Sequence, residues 1–206
     1  MLSKGIRNII FDLGGVLVDL NRQRCIDEFA LLGLHDVEEF INPYQQSDIF
    51  MQYELGGIST IEFRNKIRKQ SEKDLTDSDI DNAWNSFLGE TPSWRLDTLL
   101  ELKKHYNIYL LSNTNELHWT WCLNNVFDYQ GFTEKDFFIH AFLSYELHKA
   151  KPGTGIFQTV LNESDILPAE TFFIDDSPAN CETAEILGIS TYTPTPGEDW
   201  RHLFKA

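Results

Sequence analysis

The sequence predicts an α/β protein: a Rossmann-like open parallel sheet carrying an inserted α-helical cap. Three observations lead there. Short apolar runs alternate with helical patterns, two of those runs end in aspartate, and about a hundred residues separate the first run from the second. Such alternation implies crossover helices and parallel strands, with ligands bound beyond the carboxyl ends of the strands. A gap of that length exceeds what one crossover helix needs. The expected division is therefore a core of residues 1–19 and 91–206 and a helical cap of residues 20–90.

The first strand is expected at residues 6–11, and it runs into Asp12-Leu13-Gly14-Gly15-Val16. Helical patterns follow at 22–32, 37–50, 59–70 and 78–87. Ser59 and Glu62 have the spacing of a capping box, and Gly56-Gly57 supplies a turn before it. Phe40, Tyr44, Phe50 and Tyr53 recur at helical spacings and are expected to pack the cap, while Tyr53 and Glu54, beside the glycine pair, are candidates for touching a substrate. The acidic stretch 74–81 reads as a solvated face.

The core resumes at Thr91-Pro92, with proline at the first helical position and Leu96, Leu99 and Leu100 at helical spacing. A second strand at 108–111 ends in Ser112-Asn113-Thr114-Asn115, and a third is expected at 138–143. The fourth, 171–174, runs into Asp175-Asp176-Ser177-Pro178, where Ser177 caps a helix, Pro178 opens it and Gly188 ends it. A fifth apolar run lies at 189–193.

With 206 residues, 42% of them hydrophobic and 13% aromatic, the chain can bury a sizeable core. A net charge of −15 argues against nucleic acid as a partner, and any site for an anion must be locally positive. Cys25, Cys122 and Cys181 are widely spaced, without metal-ligand pairing, and suit a reducing compartment. Met1-Leu2-Ser3-Lys4 leads directly into the first strand with no membrane or secretory segment, so the cytoplasm is the expected location. Nothing in the chain sets an oligomeric state.

Asp12, Asp175 and Asp176 can meet at one sheet edge if their strands are neighbours. Three like charges at close range need a cation, and an oxygen-only ligand set suits Mg²⁺. Ser112 and Asn113 end a strand just before a helix, where hydroxyl, amide and free backbone N–H groups can hold phosphate oxygens. Lys149 and Lys151, in Lys149-Ala150-Lys151-Pro152-Gly153, add positive charge.

Four segments in this order resemble the haloacid dehalogenase superfamily of phosphohydrolases. Phe11-Asp12-Leu13-Gly14-Gly15-Val16 is similar to its first motif, Leu111-Ser112-Asn113 to the second, Lys151-Pro152 to the third and Ile174-Asp175-Asp176 to the fourth. Ser112-Asn113-Thr114-Asn115 with His118, and Tyr53-Glu54-Leu55-Gly56-Gly57-Ile58-Ser59, also resemble the bacterial branch containing α-D-glucose-1-phosphate phosphatase, the latter in the part of the cap that closes over substrate.

The resemblance implies that Asp12 attacks phosphorus and forms an aspartyl-phosphate. It implies Mg²⁺ held by Asp12, the Gly14 carbonyl and Asp176, with Asp175 at or beside the metal. Ser112, Asn113 and Lys151 are then phosphate ligands, with Lys151 and Ser112 joining Asp12 in catalysis and Tyr53 on the substrate side.

Two positions depart from the pattern. Relatives commonly carry a second aspartate where this chain has Gly14, as general acid and base, a contribution typically worth ~10²–10⁴-fold. Asp19, Asn115 or His118 could supply the proton, or a good leaving group such as an anomeric hydroxyl could need less of one. Asn180 replaces another acid and could bond a metal-bound water. A metal-free haloacid dehalogenase and a non-catalytic binding protein are the alternatives; the paired Asp175-Asp176 speaks against the first, and retention of Asp12, Ser112, Lys151 and Asp176 against the second.

Overall fold

The computed structural model describes residues 5–34 and 48–204. In chain order its main elements are β1 (Asn8–Phe11), α1 (Arg22–Leu31), α2 (Asp48–Glu54), α3 (Thr60–Gln70), α4 (Asp77–Asn85), α5 (Ser93–Leu102), β2 (Asn107–Ser112) and α6 (Glu116–Asn125). They continue through α7 (Glu134–Phe137), β3 (His140–Leu143), α8 (Ser144–Leu147), α9 (Thr154–Ser164), β4 (Thr171–Ile174), α10 (Pro178–Ile186) and β5 (Ser190–Tyr192).

The strands form one parallel sheet in the order β3-β2-β1-β4-β5. Because the period of a strand is two, each one divides its side chains between the faces. Ile9, Phe11, Ile108, Leu110, Phe172 and Ile174 pack with α5 and α6 on one side. Ile10, Tyr109, Leu111 and Phe173 pack with α9 and α10 on the other. Covering both faces is what a parallel sheet requires.

β1 lies centrally, with Phe11 opposite both Leu110 of β2 and Ile174 of β4. The chain leaves β1 toward β2 and β3 and later returns to the other side for β4. The order thus reverses at β1, and the crevice beyond its carboxyl end is where a sheet of this kind binds ligands.

Helices α1 to α4 surround a separate apolar cluster containing Phe29, Phe50, Tyr53, Phe63, Ile80 and Trp84. Capping boxes start two of them, Ser59 with Glu62 at α3 and Thr76 with Asp79 at α4. The connections to this layer run side by side: Asn21 N donates to the Phe87 carbonyl, Asp19 N to Glu90, and Gly89 N to Asp19.

Several elements differ in detail from the sequence reading. The helix expected at 37–50, with Phe40 and Tyr44, lies outside the described residues until position 48, from where α2 continues to Glu54. Pro92 precedes α5 as its cap rather than opening it. β3 begins only at His140, since Phe138 still closes α7, its N–H donating to the Glu134 carbonyl at 3.0 Å. The acidic stretch is not merely solvated: Arg64 pairs with Asp81 at 2.6 Å and with Asp77 at 3.2 Å, Arg68 also pairs with Asp77, and Asp79 caps α4. Among the described residues no helix is long and apolar enough to cross a membrane.

The helical layer meets the core through α6. Trp84 Nε1 donates to Asn115 Oδ1 at 3.2 Å, and Leu117 N donates to the Tyr53 hydroxyl at 3.2 Å. His118 stacks on Trp84 with 4.5 Å between ring centroids, lies 3.1 Å through Nε2 from the Trp84 carbonyl and 3.2 Å through Nδ1 from the Asn115 amide. The partners assign the proton to Nε2, since a carbonyl can only accept and the Asn115 Nδ2 can only donate.

Burial pushes the His118 pKa down to about 4, against the bond to the Trp84 carbonyl. A folded-state value below the unfolded ~6.5 means the unfolded chain takes up the proton first, so stability falls as pH drops from about 6.5 toward about 4. In denaturant unfolding without metal, His118→Gln should narrow its stability gap to wild type by about 2 kcal/mol between pH 7 and pH 5. A gap unchanged over that range would show that the imidazole is not buried in its neutral form.

Candidate active site

Asp12 follows β1 directly and is buried, its backbone N–H donating to the Ile174 carbonyl at 2.9 Å. Register therefore puts Asp12 beside Asp175, the residue that follows β4. Oxygens of Asp12, Asp175 and Asp176 lie within 4.8 Å of one another.

Lys151 enters from the loop after α8. Its ammonium stands 2.8 Å from Asp12 Oδ1 and 2.6 Å from Asp175 Oδ2, and donates to the Leu111 carbonyl at 2.9 Å. Burial works against this charge, but Asp12 and Asp175 more than offset it and hold the Lys151 pKa above the ordinary lysine value. Its backbone is fixed by Asn113, whose Nδ2 donates to the Lys151 carbonyl at 2.8 Å and whose Oδ1 accepts from Lys151 N at 2.9 Å. Lys149 is turned elsewhere and donates to Thr159 Oγ1.

The carboxylates differ in how they are satisfied. Asp175 is fully buried; Oδ1 accepts from Ser177 N at 2.8 Å and Asn180 Nδ2 at 2.9 Å, while Oδ2 takes the lysine. These contacts make it a holder of Lys151. Asp12 accepts from its neighbour Leu13 N at 2.7 Å, and Asp176 stands at the more open edge of the group.

Burial raises the Asp12 pKa to about 8; Lys151 lowers it only in part, and Asp175 and Asp176 push it further up. Asp176 is raised too, by burial first and by Asp175 next. One lysine thus leaves Asp12 and Asp176 undercompensated, and a further cation beside them would lower both pKa values.

The backbone of the β1 turn makes way for the third acid. Gly15 adopts φ +73°, and a Cβ there would come within 2.1 Å of Asp176 Oδ2. The second glycine of the motif therefore makes room for an acid of β4 to lie against the β1 turn. An all-oxygen set in this arrangement fits Mg²⁺.

The remaining candidates fall into different places. Ser112 is buried at the end of β2, its Oγ 3.3 Å from the Asn113 carbonyl, and with Asn113 it lies on the lysine side of the cluster. Tyr53 is not brought to the carboxylates: it is 2% exposed, stacks on Phe63 and places its hydroxyl 2.8 Å from Thr60 Oγ1. Asn115 and His118 are spent on Trp84. Asp19 pairs with Arg95 at 2.8 Å. Asn180 Nδ2 donates to Asp175, at 2.9 Å to Oδ1 and 3.1 Å to Oδ2.

One further residue carried no motif signal. Ser144, fully buried where β3 becomes α8, accepts from Thr114 N at 2.9 Å and reaches the Glu54 carbonyl at 2.6 Å, tying the helical layer to the loop after β2. Glu54 itself is half-buried, and burial alone raises its carboxyl to about 7. A cavity of about 590 Å³ lies between α3 and α6, lined by Thr60, Arg64, Glu116 and Trp121, but touches none of Asp12, Asp175 and Asp176; convergent charge, not cavity size, identifies the site.

A family model described as haloacid dehalogenase-like hydrolase matches residues 6–188. A D-ribitol-5-phosphate phosphatase of Bacteroides thetaiotaomicron is 37% identical over 196 residues, covering 95% of each chain. A HAD family enzyme of the same organism, crystallised as an aspartate-to-alanine mutant with magnesium and inorganic phosphate, is 50% identical with a TM-score of 0.96, covering 98% of this chain and 100% of that one. A predicted HAD-like hydrolase of Porphyromonas gingivalis is 38% identical with a TM-score of 0.90, covering 97% and 96%.

Gly15→Ala should displace Asp176 and weaken Mg²⁺ binding by roughly 10–100-fold, the range seen when the support of a metal ligand is lost. Isothermal titration with MgCl₂ reads this directly. Wild-type affinity in the variant would show that the Asp176 position against Gly15 is immaterial to the metal.

Proposed function

The chain belongs to the haloacid dehalogenase-like hydrolases, and from that premise we propose that it is a Mg²⁺-dependent phosphomonoester hydrolase using Asp12 as nucleophile. The observation that carries this reading is the buried Asp12 carboxylate held by Lys151 beside Asp175 and Asp176. Magnesium and phosphate bound to a relative of 50% identity support the same assignment.

Asp12, Asp176 and the Gly14 carbonyl are the proposed metal ligands, with Asp175 fixing Lys151 behind them. When bound, Mg²⁺ neutralises charge on the phosphoryl oxygens and aligns phosphorus for attack. Lys151 and Ser112 hold the transferred phosphoryl, and Asn113 keeps the lysine backbone in register. The free oxygen of Asp12 attacks phosphorus, the bond to the departing oxygen breaks, and an aspartyl-phosphate remains. Water then cleaves the phosphorus bond to Asp12 and releases phosphate. Helices α1 to α4 act as the cap, which excludes bulk water during the first step.

The proposed substrate is a small sugar or sugar-alcohol monophosphate. The curated relative, a D-ribitol-5-phosphate phosphatase, draws this reading away from α-D-glucose 1-phosphate alone and toward phosphorylated polyols as well. A metal-free dehalogenase is disfavoured because that chemistry has no use for Asp176 against the β1 turn.

A panel of phosphate monoesters including D-ribitol 5-phosphate and α-D-glucose 1-phosphate tests the proposal. Turnover should require Mg²⁺, stop with chelator and fall by at least ~10³-fold in Asp12→Asn, as expected for loss of a group on which the whole mechanism acts. Metal-independent turnover, or turnover that survives in Asp12→Asn, would reject the mechanism.

A further inference from the structure

Ser144 stands at the junction of three segments. It is the first residue of α8, and the register that sets Leu143 of β3 opposite Ser112 of β2 brings it beside the loop carrying Ser112 and Asn113. Its fully buried hydroxyl acts both as acceptor and as donor. Oγ accepts from Thr114 N at 2.9 Å, and its O–H faces two carbonyls, Glu54 at 2.6 Å and Thr114 at 3.0 Å. A hydroxyl has a single proton, so it serves one of these carbonyls at a time. The shorter contact, to Glu54, takes it while the turn after α2 is seated.

That turn is shaped to lie against α8. His148 Nδ1 is 2.8 Å from the Leu55 carbonyl, which can only accept, so this nitrogen carries the proton. Gly56 has φ +64°, and a Cβ on it would come within 2.1 Å of the Tyr145 carbonyl oxygen. Glycine is what permits both the backbone conformation and the close approach. Three successive residues of the helical layer, Glu54, Leu55 and Gly56, thus rest on residues 144–148.

The stretch 144–151 also holds the loop after β2 from both of its ends. At one end the Ser144 hydroxyl takes the Thr114 N–H; at the other the Lys151 backbone exchanges two bonds with the Asn113 side chain. Adjacent residues of that loop are therefore fixed by a stretch whose start carries the helical layer. Trp84 and Tyr53 meet the core further along the chain from Ser112, at Asn115 and Leu117.

Resting on the phosphatase reading above, we propose that Ser144 is a positioning residue that passes the seating of the cap turn to the loop carrying Ser112 and Asn113. It does so by rotating its O–H between the Thr114 and Glu54 carbonyls. With the turn lifted, the hydroxyl both accepts from and donates to Thr114. With the turn seated, the O–H is drawn to Glu54, the Thr114 carbonyl is released, and the loop takes the geometry that faces Lys151.

The test is a double-mutant cycle of Ser144→Ala and Gly56→Ala. It is read by kcat for D-ribitol 5-phosphate and p-nitrophenyl phosphate and by amide hydrogen exchange of residues 112–117. Each single variant should lower kcat about 10-fold, the scale of one buried hydrogen bond, and speed that exchange. The double variant should also lose about 10-fold, not ~100-fold, because both changes act through one contact. Mg²⁺ affinity by calorimetric titration should stay within about 2-fold of wild type, since β3 lies two strands from β1. Should Ser144→Ala not fold, Ser144→Cys, which keeps the volume and a weak donor, replaces it in the cycle with a smaller loss.

Wild-type kcat in the Ser144 variant, losses that multiply, exchange at 112–117 that ignores Gly56→Ala, or a fall in Mg²⁺ affinity as large as the fall in kcat would each overturn the proposal. Any of these beside turnover that still depends on Asp12 removes only the role of Ser144. Turnover that persists in Asp12→Asn removes the underlying phosphatase reading instead.

Discussion

The Lys151 ammonium, buried between Asp12 and Asp175, is the interaction on which the site depends. A cation in that position is costly unless carboxylates surround it, and the carboxylates are equally costly without it. Removing one partner of such a buried pair typically destabilises by about 3–5 kcal/mol. Three separate elements must therefore deliver their charges together: β1 with Asp12, the loop after α8 with Lys151, and β4 with Asp175. The parallel register that sets Phe11 opposite Ile174 is the geometric condition for it.

The same arrangement sorts three similar acids into different tasks. Asp175, with both oxygens occupied by Lys151, Asn180 and the Ser177 N–H, is a fixed counter-charge. Asp12 shares the lysine yet is held up at about 8, because burial and two neighbouring acids outweigh one ammonium. In the proposed mechanism a divalent cation would offset the imbalance, and metal binding would then be linked to the readiness of Asp12 to attack. Gly15 enters at this point as a steric condition, since Asp176 needs the volume that a side chain would fill.

Much of this was legible in the chain, for identifiable reasons. Strand ends marked by Asp12 and by Asp175-Asp176 are short-range signals, as are the capping box at Ser59 and the proline opening α10. What escaped depends on distant partners. Tyr53 sits next to the glycine pair in sequence, but its ring packs on Phe63 and its hydroxyl reaches Thr60 and Leu117, so it belongs to the joint between layers. Asn180 was readable as a departure at the metal, yet only the fold reveals that its amide steadies Asp175. Ser144 had no signal, because a serine at the end of a strand is ordinary until Thr114 and Glu54 are brought around it.

Those distant contacts also couple access to chemistry. The helical layer touches the core at the loops that follow β2 and β3: Trp84 on Asn115, Tyr53 on Leu117, the Glu54 carbonyl on Ser144, and the Leu55 carbonyl 2.8 Å from His148 Nδ1. Asn115 lies two residues beyond Asn113, and His148 three before Lys151, so the segments that clamp the layer also carry the phosphate ligands proposed for the site. A movement of the layer must then bear on both loops at once. At the opposite side, Asp19 and Gly89 pair the two connecting chains while Arg95 anchors Asp19. Leu20, bridged to Leu88 at that joint, sets its methyls against Gly14, 3.2 Å from where a side chain there would begin. A shift of the helical layer therefore bears on the β1 turn as well as on the loops after β2 and β3.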